Sequence, residues 1–205
     1  MDLQEVITWL KRLVNLDTRV FDEIRTNPTA TIPGALVAFV SILIAGLGGW
    51  LWWVVEKYPN KQDIFVHSAI FGSIFGFVLW AFVWLGLVYV VLTQFFRERA
   101  YVEQLLRVMG LAASPLALMG LMFIPEISFA IGLAALVLAF GLTNIAIRSV
   151  TSADPARVMV ANLLGFFVWC AALTLLAKAS NPNSPGIFLF NSVNRIAHEV
   201  FSLRG

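Results

Sequence analysis

The residues that most often do chemistry in proteins are few and scattered in this chain. His67 and His198 are its two histidines and lie in different segments, and Cys170 is its one cysteine. No nucleophile elbow, HExxH or Cys/His ligand cluster, phosphate-binding glycine loop or pair of carboxylates is present. His67 is more readily an interfacial residue than a proton relay, and Cys170 a small apolar side chain. The sequence therefore predicts no catalytic, cofactor-binding or metal-binding residue and no enzymatic activity.

The composition is that of a membrane protein. Of the 205 residues, 60% are hydrophobic and 13% are charged, against about 45–50% and about 25% in soluble domains. Asp, Glu, Lys and Arg are absent from five windows, namely 33–55, 64–96, 108–125, 127–147 and 158–177. About 20 apolar residues in a helix cross ~30 Å of hydrocarbon, where a charge costs roughly 2.5–3.5 kcal/mol. We predict an all-α integral membrane protein with five transmembrane helices.

The chain divides into three parts. Residues 1–32 form an amphipathic N-terminal segment, 33–177 a five-span membrane domain, and 178–205 a tail with a short amphipathic helix. The spans are expected at about 33–55, 64–96, 105–125, 127–147 and 157–177. Apolar residues from Leu3 to Val14 recur at helical spacing, which predicts an interfacial helix among the lipid headgroups. Packing of this helix onto the protein's own core or onto a partner is the alternative, and no cleavable signal peptide is expected.

Basic residues are distributed unequally between the two sets of segments outside the spans. The N-terminal segment and the 97–107 and 148–157 connectors carry nine Lys and Arg, and the first loop and the tail carry five. Because cytoplasmic loops are enriched in Lys and Arg, we expect a cell-membrane protein with its N-terminus in the cytoplasm and its C-terminus outside. The charges of the 97–107 connector are expected on a solvated face. The expected interfacial anchors are Trp9, Lys11, Arg12, Trp50, Trp52 and Trp53.

Small residues in the spans indicate where helices approach each other. Gly72 and Gly76 form a GxxxG motif, and Ala45 with Gly49 forms a second small-xxx-small step. Such faces favour packing within the bundle, or alternatively against a partner. Pro115 predicts a kink, and Thr143 with Asn144 predicts an interhelical hydrogen bond rather than a ligand site. The candidate helix-packing residues are Ala45, Gly49, Gly72, Gly76, Pro115 and Asn144.

Several stretches resemble one known family. RVFDEIRTNPTA precedes the first span, a long second span follows, and QLLRVMGLAASPLALMGLMFIP leads into the third. Together they resemble the Yip-domain family of Ypt/Rab-interacting membrane proteins over roughly residues 19–177. The stretch from Gly110 to Pro115 matches the family's glycine-to-proline pattern. The resemblance implies five spans, a cytoplasmic N-terminus and a non-catalytic role as an adaptor or organiser in membrane trafficking.

One element of the eukaryotic family members is missing. Their acidic–aromatic Asp-Leu-Tyr-Gly-Pro element is absent, and only Asp22 and Pro28 stand at comparable places before the first span. The chain therefore looks more like the prokaryotic members, and binding of a small GTPase is doubtful.

These observations predict a non-enzymatic polytopic membrane protein that acts as a scaffold, adaptor or accessory subunit through helix–helix and lipid contacts. Its expected partners are membrane lipids and other integral membrane proteins or a second copy of itself. Its net charge of +2 does not indicate a nucleic-acid partner. The candidate docking surfaces are the N-terminal amphipathic helix, the Gly72/Gly76 face and the aromatic side chains of the second span. The alternative function is a passive transporter or permeation protein for a lipid or small solute.

Overall fold

Helices make up almost the whole fold. The computed structural model describes residues 3–55, 65–124 and 126–179, and these ranges contain no β-strand. The chain beyond Ala179, which includes most of the predicted tail with His198, lies outside the described residues. The helices are α1 (Leu3–Val14), α2 (Val20–Thr26), α3 (Thr31–Val55), α4 (65–95), α5 (Val102–Ala112), α6 (Ser128–Val150) and α7 (Pro155–Ala179).

Within the part of the chain that the structure describes, five helical segments are long and apolar enough to cross a membrane. They are Pro28–Val55, Ala69–Phe95, Val102–Phe123, Ser128–Val150 and Pro155–Leu173. The third consists of α5 and a 3₁₀ segment, Ser114–Phe123, that continues it. The five segments follow the five windows that lack charged residues, which confirms the predicted all-α, five-span fold class.

Helix α1 forms because its apolar residues recur every three or four positions, and one stripe of them turns inward. The buried residues of this stripe are Val6, Trp9 and Leu13. After α1, Leu16 adopts a positive φ of 60°, and the amide of Asp17 donates a hydrogen bond to the carbonyl of Arg12 (2.9 Å). This turn reverses the chain direction, so that α2 lies beside α1.

Helix α4 is not a uniform α-helix. Its π-helical segments Phe65–Phe71, Trp80–Leu85 and Val91–Phe95 alternate with the α-helical segments Gly72–Leu79 and Gly86–Val90. A π-helical turn closes its hydrogen bond over five residues instead of four and therefore accommodates an extra residue in the turn. Residues 65–95 of the long second window thus form one continuous helix whose winding changes along its length.

The third span changes helix type at the predicted kink. Pro115 has no amide hydrogen and cannot continue the α-helical hydrogen-bond pattern. Helix α5 accordingly ends at Ala112, and the chain continues as a 3₁₀ helix from Ser114. The amide of Ala113 closes the α-helical part by donating to the carbonyl of Met109 (3.0 Å).

Helix α3 and the third span approach each other at the level of their backbones. A Cβ atom at Gly110 would overlap with the carbonyl group of Gly34. Nearer the other end of the bundle, a Cβ atom at Gly48 would overlap with the backbone of Met119 and Gly120. Only glycine permits this separation, so two glycine contacts fix how these two spans lie against each other.

Candidate functional site

The pair α1–α2, here called the N-terminal platform (Leu3–Thr26), is a highly charged structure outside the spans. Arg12 of α1 binds two carboxylates, with its Nε 2.9 Å from Asp17 Oδ2 and its Nη1 2.6 Å from Glu23 Oε2. The indole Nε1 of Trp9 donates to the other oxygen of Glu23 (3.2 Å). Arg12 and Trp9 therefore hold α1 and α2 together as one unit.

The charges inside the platform are paired, because the guanidinium of Arg12 stabilises the ionised forms of both carboxylates. The hydrogen bond from Arg12 lowers the pKa of Glu23 below its ordinary value of 4.5, and the bond from Trp9 adds to this effect. The hydrogen bond from Arg12 also lowers the pKa of Asp17 below 3.8. Both carboxylates are consequently charged, and paired with Arg12, at neutral pH.

Acidification is expected to separate α1 from α2. A carboxyl group with a lowered pKa contributes stability above its unfolded-state pKa, and this contribution is lost as the pH falls through the lowered value. The distribution of distances between nitroxide labels at Thr8 and Thr26, in a Cys170→Ser background, should therefore stay constant above pH 4.5 and broaden as the pH falls below 4.5 and the two carboxylates take up protons. Arg12→Gln should broaden the distribution already at neutral pH. A constant, narrow distance in Arg12→Gln would contradict the role of Arg12.

Arg107 joins the platform to the spans. Its side chain, only 7% exposed, lies among α2, α3 and α5. Its Nη1 donates to the carbonyl of Arg25 (3.0 Å), its Nε to Thr31 Oγ1 (2.7 Å) and its Nη2 to Glu103 Oε2 (3.2 Å). The carbonyl of Arg25 belongs to the last turn of α2, where backbone acceptors have no partner within the helix. One guanidinium thus joins three helices through its fork of donors.

The burial of Arg107 corrects the expectation that the charges of the 97–107 connector lie on a solvated face. The same residue, Arg25, also attaches the platform to α6, because its Nη1 donates to the carbonyl of Ser149 near the end of that helix (2.6 Å). Arg157 at the start of α7 pairs with Glu98 (2.8 Å). Arginine contacts therefore gather the platform and the ends of four spans at one end of the bundle, which we call the platform end.

Two apolar grooves flank α1 where it lies on the spans. The first groove, of about 360 Å³, runs between α1 and the first half of α3, with Pro33 and Val40 among its lining residues. The second groove, of about 430 Å³, runs between α1, the third span and α6, with Leu121 and Leu142 among its lining residues. Volumes of this size are those of small-molecule sites, which range over roughly 300–1,000 Å³.

A polar contact lies deep among the apolar helices α4, α6 and α7. Trp84 Nε1 donates to Asn162 Oδ1 (2.9 Å), and Asn162 Nδ2 donates to the carbonyl of Phe140 (3.1 Å). Trp84 and Asn162 are both fully buried. Asn162 is not among the residues predicted from the sequence, although a single asparagine within an apolar window is a signal that could have pointed to it. Its two bonds join the three helices and leave neither amide group unpaired.

The Trp84–Asn162 bond can be measured by a double-mutant cycle. Asn162→Leu should lower the free energy of unfolding by about 2 kcal/mol, because it leaves the buried indole N–H without its acceptor. In the Trp84→Phe background the same change should cost about 1 kcal/mol less. Trp80, equally buried on α4, is the matched control, since Trp80→Phe and Asn162→Leu should be additive. Additivity of the Trp84 pair in denaturant unfolding would show that the bond contributes nothing.

The candidate packing residues lie in different environments. Ala45 and Gly49 are buried on α3, and Gly72 and Gly76 are buried on α4. A Cβ atom at Gly76 would lie 3.1 Å from Ile42 Cγ2, and the carbonyl of Gly76 accepts a hydrogen bond from Trp169 (3.3 Å). The Gly76 contacts are therefore with α3 and α7 of the same chain.

The two polar residues of the fourth span differ from the expected interhelical hydrogen bond. Thr143 Oγ1 donates within its own helix, to the carbonyl of Ala139 (2.6 Å). Asn144 is half-buried, and its Oδ1 has no hydrogen-bond partner among the described residues. A threonine can bond to the carbonyl four residues earlier, which satisfies its hydroxyl without a second helix.

The candidate anchors are likewise spread over several environments. Trp9 is buried, Lys11 is exposed, and Arg12 is held in its two ion pairs. Trp9 therefore turns into the protein, where Glu23 accepts its N–H, rather than outward to headgroups. At the far end of α3, Trp50 packs edge-to-face on Phe65 (5.0 Å). Trp52 and Trp53, both mostly buried, pack on each other (4.9 Å).

The aromatic side chains of the second span separate into two sets. Trp80 and Trp84 are fully buried, whereas Phe71, Phe75 and Phe82 are exposed on the outer face of α4.

Among the described residues no group of three or more His, Cys, Asp or Glu is placed to hold a metal ion.

The comparison with protein families agrees with this architecture. The family model for the Yip1 domain matches residues 17–177, which include α2, the five spans and their connectors. No curated protein and no solved structure matches the chain significantly. The match over most of the chain confirms the resemblance noted in the sequence, and the protein belongs to the Yip1-domain family.

Proposed function

We propose that this protein is a non-enzymatic membrane adaptor, scaffold or accessory subunit whose partner docks on the N-terminal platform. The observation that carries the proposal is the rigid attachment of the platform. Arg12 ties α1 to α2, and Arg25 and Arg107 tie α2 to the spans. A surface held in this way loses little conformational freedom when a partner binds, which favours affinity.

The outer face of the platform supports the same proposal. Thr8, Arg19 and Asp22 are exposed there, so the surface is polar and carries charges of both signs. Charges of both signs on a fixed scaffold favour recognition of one partner by complementarity, since a wrongly charged partner meets like charges. The expected partner is another integral membrane protein or a second copy of this chain, since the platform lies directly on the spans.

The platform end is proposed to face the cytoplasm of the cell membrane. Lys11, Arg19, Arg97, Arg99 and Arg148 are exposed, and none of them forms an ion pair with an acidic side chain of the described residues. Unpaired basic residues next to membrane spans are retained on the cytoplasmic side and attract anionic lipid headgroups.

Site-specific crosslinking tests the adaptor proposal. A photoreactive amino acid is placed at Thr8 or at Asp22 on the platform, and at Phe82, which is 77% exposed on α4, as the control. We expect the same protein adduct from Thr8 and Asp22 and lipid adducts alone from Phe82. Absence of any protein adduct from both platform positions, in intact membranes and at full labelling efficiency, would refute docking on the platform.

Passive permeation of an apolar solute or lipid is the second candidate function, favoured by the two apolar grooves beside α1. Flux through vesicles that contain the purified chain distinguishes the two functions. An adaptor leaves the flux at the level of empty vesicles, whereas a permeation protein raises it in proportion to the protein content.

A further inference from the structure

The two grooves beside α1 adjoin each other. Leu10 of α1 and Ser114 and Ala117 of the third span line both of them. The grooves therefore form one apolar trough that passes beneath α1, which we call the α1 trough. Apart from serine hydroxyls, its lining is made of apolar side chains, so its occupant has to be apolar along most of its length.

The walls of the α1 trough continue into the outer surface of the spans. Leu36 and Val40 of α3 line the first groove and are exposed, and Leu118 and Leu138 line the second groove and are exposed. In a chain that crosses the membrane, exposed apolar residues of the spans face hydrocarbon. The trough therefore opens toward the acyl chains of the bilayer, and the molecules that reach it first are lipids.

A cation stands at the rim of the trough. Ile7, Lys11 and Val14 follow each other at spacings of four and three residues, so they lie on one stripe of α1. Ile7 lines the first groove and Val14 the second, and both side chains are exposed. Lys11 between them is exposed and forms no ion pair with the described acidic residues. A lysine in this position lays its apolar stem along the rim and leaves its ammonium group for a phosphate.

We propose that the α1 trough binds one acyl chain of an anionic phospholipid and that Lys11 contacts the phosphate of its headgroup. The apolar lining, the opening toward hydrocarbon and the unpaired cation at the rim together select a molecule with a long apolar chain and an anionic head. The inference concerns a lipid site beneath α1 and holds whether or not a protein docks on the outer face of the platform.

Retention of defined lipids by the full-length chain tests the proposal. The wild-type protein is reconstituted with an equimolar mixture of dioleoyl phosphatidylglycerol and dioleoyl phosphatidylcholine, extracted in mild detergent and weighed by native mass spectrometry. We expect one retained phosphatidylglycerol, favoured over phosphatidylcholine by about fivefold, since one lysine near anionic headgroups contributes about 1 kcal/mol. Lys11→Gln should remove this preference, and Arg99→Gln, the matched change of an exposed cation outside the trough, should keep it. Equal retention of both lipids by the wild type would overturn the role of Lys11.

A variant that fills the trough tests the acyl-chain part. Ala117→Phe places a large apolar side chain where the two grooves meet and should abolish the retained lipid. Ala171→Phe, at an exposed alanine on α7 that lines neither groove, should leave it unchanged. Unchanged retention in a folded Ala117→Phe protein would overturn the proposal.

A measurement on the wild-type chain covers the case in which Ala117→Phe does not fold. A phosphatidylglycerol with a diazirine in its acyl chain is crosslinked to the protein, and the labelled residues are identified by peptide sequencing. We expect the label on α1 and on the 114–121 stretch, removed by excess phosphatidylglycerol but not by phosphatidylcholine. Even labelling of all exposed span residues, as an unspecific lipid shell would give, would refute the site.

Discussion

Gly110→Ala is expected to lower the free energy of unfolding by about 3 kcal/mol, and Gly48→Ala by a similar amount, because each adds an atom where two backbones already meet. The added Cβ of Gly110 would overlap with the carbonyl group of Gly34, and that of Gly48 with the backbone of Met119. A side chain could rotate away from such an overlap, but backbone atoms of two packed helices move only if the helices separate. The packing between α3 and the third span therefore has to open.

Gly141→Ala is the matched control for both variants. A Cβ atom at Gly141 of α6 would have no heavy atom outside its own helix within 4 Å, and alanine is more favourable than glycine in a helix by roughly 0.5–1 kcal/mol. The three variants carry the same chemical change within helical spans, so the difference between them reports the helix–helix contact alone. It is measured by unfolding in mixed micelles followed by circular dichroism. Equal stability of Gly110→Ala and Gly141→Ala would contradict the backbone contact.

The glycine contacts also illustrate what the sequence could and could not predict. The Gly72/Gly76 motif is recognisable from its spacing along one helix, and a Cβ atom added at Gly76 would lie 3.1 Å from the Cγ2 methyl group of Ile42. The closest backbone contacts join glycines to residues far apart in the chain, such as Gly48 to Met119 and Gly110 to Gly34. A small-residue motif shows that a helix has a face for close approach, but the choice of neighbour depends on the three-dimensional arrangement of all five spans.

The five spans were predictable for a simple reason. The cost of placing charges in hydrocarbon acts on each segment independently, so it leaves a record in the local sequence. The amphipathic pattern of α1 is likewise local, and the helix forms at Leu3–Val14 where the pattern predicts it. The pattern does not tell which apolar residues meet protein and which meet lipid. Trp9 is an example: its indole lies inside the protein and donates to Glu23, although its position in the sequence is equally compatible with an anchor among headgroups.

The contacts of charged residues next to the spans are the second feature that the sequence does not predict. Arg107 stands between Glu103 and the apolar part of the third span, where a solvated arginine is the ordinary expectation. Its burial depends on the carbonyl of Arg25 and the hydroxyl of Thr31, which come from a part of the chain about 80 residues away. No local property of the sequence predicts that these two acceptors lie within hydrogen-bond distance of its guanidinium.

Replacement of Arg107 by methionine is expected to destabilise the protein by about 3 kcal/mol. Methionine keeps most of the apolar stem but removes every donor, so the carbonyl of Arg25 loses its partner in a largely dry environment, at about 1–3 kcal/mol. The hydroxyl of Thr31 loses the bond it accepts and keeps only the one it donates to the carbonyl of Pro28. Arg107→Lys should recover only part of the loss, because an ammonium group cannot reproduce the planar fork that reaches α2, α3 and Glu103 together. Unfolding in mixed micelles measures both changes.

Two other variants separate the buried contacts of Arg107 from its charge. Glu103→Gln removes its acidic partner, but Glu103 is 78% exposed, so the expected loss is below about 1 kcal/mol. Arg157→Met removes an arginine at the same end of the bundle whose side chain is 50% exposed and pairs with Glu98, and its cost should be similarly small. Limited proteolysis adds a local readout, since Arg107→Met should expose the chain between α2 and α3 to cleavage while Arg157→Met leaves it protected. If both arginine variants lost the same stability and showed the same cleavage, the platform would be attached by the general charge of that end and not by the three bonds of Arg107.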